Sequence, residues 1–346
     1  MPENMQVTCM NKTVELPLAD PMYSTYHFQG PCIAAAPENP SVRNWVLNEA
    51  VILTCNRSFL SGRMTPDVNV VNSSWCDNPY LDRIYYPLQY TGGYINPIIR
   101  NLLDHGYYVC FCGIDDYYVK GKSWYHEKHF SHDGMICGYD REDKTYSIYA
   151  YDTNWIYQKF RTPQRCFDKG REAIQKEGGY GEIYGVRAKP EQVEFSAKTV
   201  CERLHDYLDS SFEKYPVCEE GNVYGSIVQE YLAMYIGKLC DGSIPYDRKD
   251  SRILRLLWEH KKVMLERIQK AEKVLMLGSE YSRGYKKIVS DSNALRMLYA
   301  SHCIKRRDSV LPVVQKGLMR LKWDEEKVLI GFVDRLGEAT EYEAVE

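Results

Sequence analysis

Three runs of aromatic and β-branched residues predict a β-sheet in the first half of the chain. They cover residues 107–112, 135–139 and 146–151. The second and third runs flank the polar stretch 140–144, which has the length of a hairpin turn. We therefore expect these strands to pair antiparallel, the order typical of an α+β fold rather than of alternating βαβ units.

Helices are predicted on both sides of these strands. Mostly apolar residues favour a helix over 44–54, and a second helix starts at Pro97 and stops at Gly106. In the second half, apolar residues recur at near-heptad spacing along one long helix, at Leu254, Trp258, Leu265, Ile268 and Leu275. Further helices are expected over 294–303, 310–321 and 325–336.

This pattern divides the chain into three parts. Residues 1–190 are predicted to form the α+β domain, and residues 191–336 an α-helical bundle domain. The acidic residues 337–346 are predicted to be a disordered tail.

Charge and cysteine content narrow the class of protein. The net charge of the 346 residues is −3, but residues 241–336 hold 21 basic and 13 acidic side chains, a net +8. That excess favours an acidic partner for the second domain. No apolar stretch is long enough to span a membrane, and twelve cysteines without a secretion signal indicate reduced thiols. We expect a cytoplasmic protein with neither a membrane nor a nucleic-acid partner.

The predicted hairpin carries the sharpest chemical signal. His132 stands at the foot of the second strand and Asp152 at the end of the third. Residues so placed can be neighbours across an antiparallel pair, where an acid can hold an imidazole in one tautomer. Cys32 lies where a loop, 29–31, leads into an alanine-rich helix, a position suited to a nucleophilic thiol.

These motifs resemble papain-like cysteine enzymes, and more closely the family of the butirosin-biosynthesis acyltransferase N-terminal domain. The resemblance rests on the run from Asp115 through His132 to Asp140, with weaker support from 223–225 and the helix near Trp258, and it covers roughly residues 25–340. It implies a papain-like domain with a Cys-His-Asp triad of Cys32, His132 and Asp152.

The resemblance also implies an activity. A cysteine-dependent acyltransferase of antibiotic (nonribosomal peptide) biosynthesis would move an acyl or peptidyl group from a carrier-protein thioester, through Cys32, to a small amine. The implied partners are an acyl or peptidyl carrier protein with its phosphopantetheine and the amine, and no cofactor is bound by the chain itself. The alternatives are a peptidase or thioesterase, in which water is the acceptor, and a non-catalytic protein that binds a peptide-like metabolite.

Other residues compete for these roles. His129 is the rival of His132 as the base, Cys55 is the rival of Cys32, and Gln29 is a candidate donor to an oxyanion. His126, His129 and His132 could also suggest a metal site. The sequence supplies neither the geometry nor the supporting contacts that such a site needs, so we expect no metal.

Overall fold

The computed structural model describes residues 12–61, 65–179, 181–210 and 221–343. The strands in these ranges are β1 (Thr13–Glu15), β2 (Leu53–Asn56), β3 (Val68–Val70), β4 (Leu81–Pro87), β5 (Tyr108–Asp115), β6 (Ser131–Asp140), β7 (Thr145–Tyr151), β8 (Tyr157–Pro163), β9 (Glu182–Ala188) and β10 (Asn222–Tyr224). The α-helices are α1 (Gly30–Ala34), α2 (Pro40–Glu49), α3 (Ile95–Asp104), α4 (Gln164–Lys176), α5 (Ala197–Leu208), α6 (Val228–Cys240), α7 (Arg252–Val274), α8 (Glu280–Lys305) and α9 (Leu311–Glu343).

The chain divides into two compact units, and their composition differs from the predicted domains. The first unit contains Met1–Pro21, His27–Asn39 and Pro79–Glu191. The second contains Met22–Tyr26, Pro40–Asn78 and Gln192–Glu346. The division at residue 191 lies beside the predicted boundary at 190. However, the prediction of residues 1–190 as one continuous domain is corrected, because α2, β2 and β3 belong to the second unit.

The first unit is built on a seven-stranded antiparallel sheet in the order β4-β9-β5-β6-β7-β8, with β1 on β6. The predicted strands and the β6–β7 hairpin are confirmed. Alternate side chains of β5, β6 and β7 enter one apolar core, which includes Phe111, Ile136, Ile148 and Phe167. The fold class is therefore α+β as predicted. Because β6 has β5 on one side and β7 on the other, acids at the ends of both neighbours can approach its first residues.

The second unit combines helices with a small sheet, so it is not purely helical as predicted. Its three antiparallel strands run in the order β10-β2-β3. The predicted helix over 44–54 ends earlier, at Glu49, and β2 begins at Leu53. Arg267 on α7 donates hydrogen bonds to the backbone carbonyls of Val46, Leu47 and Ala50, and thereby satisfies acceptors at the end of α2.

The C-terminal helices are longer than predicted. The separate helices expected over 310–321 and 325–336 are one helix, α9, which continues through Glu343. The tail predicted as disordered is thus helical as far as that residue, and 344–346 lie outside the described ranges. Glutamate and alanine are good helix formers, and Arg335 pairs with Glu338 one turn later at 2.9 Å.

A buried ion pair joins α7 to α9 within this second unit. Lys261 Nζ lies 2.6 Å from Glu325 Oε2, and both side chains are fully buried. The hydroxyl of Tyr207 and the amide of Gln229 donate to the same carboxylate, and Tyr285 donates to its other oxygen. Glu325 therefore has the hydrogen-bond partners that a buried carboxylate requires.

Candidate active site

His132 is held by a carboxylate that lies just after the neighbouring strand β5. Its Nδ1 lies 2.8 Å from Oδ2 of Asp116, which follows the last residue of β5 and is fully buried. The backbone N–H of Asp116 donates to the carbonyl of Phe130 at 2.9 Å. This hydrogen bond fixes the backbone of Asp116 to the segment that leads into His132. When Nδ1–H donates to the carboxylate, Nε2 is left as the basic nitrogen. The His132 side chain is about one-fifth exposed.

A buried lysine balances the charge of Asp116. Lys122 Nζ lies 3.2 Å from Asp116 Oδ1 and donates to the carbonyl of Asp133 at 2.7 Å. Burial lowers the pKa of Lys122, and the Asp116 carboxylate opposes that shift. The ammonium and the imidazole thus share one carboxylate, which keeps that carboxylate paired whether or not His132 carries a proton.

His27 brings an N-terminal segment onto the His132 ring. The two ring centroids are 3.9 Å apart with an interplanar angle of 72°, an edge-to-face contact. Burial holds the pKa of His27 well below its ordinary value, and the nearby Lys122 and His132 act in the same direction. His27 is therefore a neutral ring at physiological pH.

Cys32 lies five residues after His27, in the short helix α1. The residue is 1% exposed, and its backbone N–H donates to the carbonyl of Gln29 at 3.1 Å. Gly30 on the same helix packs so closely on Tyr157 that a Cβ at Gly30 would overlap the Tyr157 hydroxyl. The segment carrying the predicted nucleophile thus meets the His132 site through His27 and lies against the β8 side of the sheet through Tyr157.

The structure corrects the predicted pairing of Asp152 with His132. One carboxylate oxygen of Asp152 accepts from the backbone N–H groups of Asn154 and Ile156 at 2.8 and 2.9 Å. The other accepts from Gln158 Nε2 at 2.6 Å. Burial alone would raise the pKa of Asp152, but these hydrogen bonds hold it below its ordinary value. Asp152 therefore organises the loop between β7 and β8, and the acid on His132 is Asp116.

A signal for Asp116 was present in the sequence. Asp115 and Asp116 follow directly after the apolar run of β5, and β5 and β6 are antiparallel with Ile114 opposite His132. The end of β5 therefore meets the start of β6. The predicted pairing with Asp152 involved only β7, which follows β6, although β5 precedes β6 along the chain and lies on its other side.

The rival histidine, His129, also binds an aspartate. Its Nδ1 lies 2.7 Å from Asp115 Oδ2, and its ring stacks on Tyr117 at a centroid distance of 4.2 Å. The His129 side chain is 58% exposed, however, against 21% for His132. Of the two imidazoles, His132 is the one that contacts the segment leading to Cys32.

The two remaining candidate residues, Gln29 and Cys55, are both buried. Gln29 is buried directly before α1, and Cys55 is buried in β2 of the second unit, where burial raises its pKa to about 12. Across the described ranges, no group of three or more His, Cys, Asp or Glu side chains could hold a metal ion, and no disulfide links the cysteines. In the same residues, no helix is long and apolar enough to cross a membrane.

A scan against protein-family models finds no match to this chain, and a search of curated proteins finds none either. The resemblance to papain-like acyltransferases therefore rests on the sequence motifs.

Proposed function

We propose that the first unit is a papain-like cysteine acyltransferase domain, with Cys32 as the nucleophile, His132 as the base and Asp116 as the residue that positions the imidazole. The observation that carries the proposal is the 2.8 Å contact between His132 Nδ1 and the buried Asp116 carboxylate. This contact leaves Nε2 as a base on a ring that remains partly exposed, which is the arrangement that thiol activation needs.

The first half-reaction would transfer the acyl group to the enzyme. Nε2 of His132 takes the proton of the Cys32 thiol, and the thiolate attacks the carbonyl carbon of a carrier-protein thioester. The bond from that carbon to the carrier sulfur breaks, and the carrier thiolate takes the proton back from the imidazolium. One thioester replaces another, so this step is near thermoneutral.

The second half-reaction would release an amide. An amine attacks the Cys32 thioester and gives its proton to Nε2, the bond to the Cys32 sulfur breaks, and the thiolate is reprotonated. The net reaction converts a thioester and an amine into an amide and a thiol. Transfer to an amine rather than to water requires that the site positions the amine and limits access of water.

The proposed donor is an acyl or peptidyl group on the phosphopantetheine of a carrier protein, in natural-product (antibiotic) biosynthesis. The net charge of +8 over residues 241–336 supports an acidic protein as the partner, since complementary charge speeds association. No cofactor is assigned to the chain itself. A thioesterase or peptidase with the same residues would differ only in its acceptor, water.

One observation favours a different class of function. Cys32 is 1% exposed, which suits a structural thiol in a protein that binds a peptide-like metabolite without changing it. A buried structural thiol reacts slowly with electrophiles, whereas a nucleophile beside an imidazole reacts fast.

Competitive alkylation separates these two classes. Cys76 and Cys240 are exposed and serve as internal references. With limiting iodoacetamide, the enzyme proposal predicts that Cys32 is modified faster than either reference, and that His132→Ala abolishes this advantage. Slower modification of Cys32 than of both references would contradict the enzyme proposal and support the binding protein.

The acceptor is tested by product analysis. The full chain is incubated with an acyl carrier protein thioester, with and without an amine, and the products are separated by mass spectrometry. We expect amide with the amine present and little free acid. Free acid as the main product in both cases would identify a thioesterase, and amide formation by Cys32→Ala at the parent rate would contradict the mechanism.

A further inference from the structure

We infer that Trp124, Phe130 and Trp155 form a binding surface, here named the aromatic shelf, for the aromatic acyl group of the thioester donor. The inference rests on the proposed function, because it names the acyl class that the His132 site receives. It is carried by the position of the shelf, its exposure and the way in which it is held.

The aromatic shelf is adjacent to the proposed base. The centroid of the Phe130 ring lies 4.9 Å from that of His132. Phe130 is followed by Trp124, at 6.3 Å between centroids, and Trp124 by Trp155, at 5.1 Å. A group seated on these rings would therefore have its carbonyl carbon within reach of the chemistry at His132.

Two of the three rings of the aromatic shelf are exposed, and the third, Trp124, is partly buried. Trp155 is 52% exposed and Phe130 is 39% exposed. Large aromatic side chains carry much of the energy of burial, so neighbouring rings left in water beside a polar site indicate a surface that a ligand covers.

Trp155 is held outward at a conformational cost. Its φ is +60°, a left-handed conformation that is uncommon for residues other than glycine. The Asp152 carbonyl accepts from the Trp155 N–H at 3.0 Å, and the Asp152 carboxylate accepts from the residues on both sides, Asn154 and Ile156. Asp152 thus fixes the loop that presents the indole, which gives this buried acid a role in the site other than orienting His132.

The geometry favours a planar aromatic group over an aliphatic one. Trp124 and Trp155 meet at 86°, so they form a corner with one ring face and one ring edge. A flat ring in that corner can stack on one indole and meet the other edge-to-face, whereas an alkyl group gains only contact area. Lys128 Nζ lies over both Trp124 and Phe130, at 5.5 and 5.7 Å from their centroids.

The first test measures binding without chemistry. The probes are the benzyl and methyl thioethers of N-acetylcysteamine, which mimic aryl and short acyl donors but cannot transfer an acyl group. Their Kd values for the 346-residue chain are obtained by ligand-observed NMR. We expect the benzyl compound to bind more tightly, and Trp155→Leu and Phe130→Leu each to weaken it about tenfold while leaving the methyl compound unchanged.

A matched control is Tyr90→Leu, which removes an aromatic ring that is 81% exposed in the same unit but outside the aromatic shelf. This variant is expected to bind both probes like the parent protein. We expect the circular dichroism spectra of all three variants to match that of the parent. Equal affinities of the parent for the two probes, or losses in folded shelf variants that are the same for both, would overturn the inference.

The second test separates this inference from the proposed function. Benzoyl and acetyl thioesters of N-acetylcysteamine are compared as acyl donors to Cys32. If Cys32 is acylated by both thioesters at equal rates, and the ratio of the rates is unchanged in Trp155→Leu, the inference about the aromatic shelf is wrong and the proposed acyltransferase function is supported. If the shelf variants selectively lose binding of the benzyl compound, but neither thioester acylates the parent protein, the proposed acyltransferase function is wrong and the aromatic shelf is supported as a binding surface.

Discussion

Asp116 Oδ2 and His132 Nδ1 lie 2.8 Å apart, where the end of β5 meets the start of β6. Asp116 directly follows β5, the strand before the histidine along the chain, whereas Asp152, which directly follows β7, bonds to its own loop. Lys122 lies 3.2 Å from the other oxygen of Asp116, so the buried carboxylate that orients the imidazole also has a cationic partner.

Asp116→Asn should impair acyl transfer far more than Asp152→Asn. The amide cannot hold His132 in the tautomer with a basic Nε2, so we expect kcat/KM to fall by roughly 10³-fold. In Asp152→Asn, the side-chain oxygen can still accept from Asn154 and Ile156, so the loss is confined to about 0.5–1.5 kcal/mol of stability. Steady-state kinetics with one thioester donor compare the two variants. If kcat/KM falls as much or more in Asp152→Asn than in Asp116→Asn, Asp152 and not Asp116 orients His132.

Lys122→Met should destabilise the fold because it leaves the Asp116 carboxylate without its buried cation. Removal of one partner of a buried ion pair costs about 3–5 kcal/mol. The double variant Lys122→Met/Asp116→Asn should recover part of this loss, since it also removes the uncompensated charge. Urea unfolding of the parent, both single variants and the double variant gives the coupling energy. Additive losses would show that the two side chains do not interact as described.

The buried pair of the second unit should behave differently from an exposed pair. Lys261→Met leaves the Glu325 carboxylate unpaired among buried groups and should cost about 3–5 kcal/mol. The control is Lys287→Met, which breaks a pair with Asp291 whose side chains are both well exposed and should change stability by less than about 0.5 kcal/mol. The free energies of unfolding in urea check this difference, and similar costs for the two variants would contradict it.

Acid should destabilise the second unit through His260. Burial, with Lys261 adding to it, holds the pKa of His260 well below its ordinary value, and the Nε2–H of the ring donates to the Val51 carbonyl at 2.8 Å. Below a pH of about 6.5 the histidine of the unfolded chain binds a proton that the buried ring of the folded chain does not. The contribution of His260 to the free energy of unfolding is therefore fully present above that pH, and it decreases by up to about 1.4 kcal/mol per pH unit below it.

His260→Gln should remove that contribution. Between pH of about 6.5 and 5, the slope of the unfolding free energy against pH should then decrease by an amount that corresponds to at most one proton taken up on unfolding. Urea unfolding of the parent and of His260→Gln at several pH values measures both slopes. A parent whose stability is flat over this range would contradict the buried neutral state of His260.

The regular part of the first unit could be predicted from local sequence. The runs at 107–112, 135–139 and 146–151 are apolar enough to be buried strands wherever they lie, and the polar stretch 140–144 can only be a short connection. The antiparallel α+β class follows from these elements. Long-range partners do not follow, because nothing local in Leu53–Asn56 indicates that it pairs with Asn222–Tyr224.

The candidate site was predictable only in part for the same reason. His132 was identified from its place at the foot of a strand, but either neighbouring strand could supply its acid, and strand order is a tertiary property. The Asp152 side chain bonds within its own loop because the backbone N–H groups of Asn154 and Ile156 are close along the chain. The contact between His27 and His132 joins residues 105 positions apart, and no spacing in the sequence marks it.

Intact-protein mass spectrometry after incubation with a benzoyl thioester shows whether Cys32 is the acylated nucleophile. We expect one added benzoyl group, mapped by peptide analysis to Cys32, absent in Cys32→Ala and formed much more slowly in His132→Ala and Asp116→Asn. An unmodified parent protein, or benzoyl groups spread over the exposed Cys76 and Cys240, would contradict this expectation.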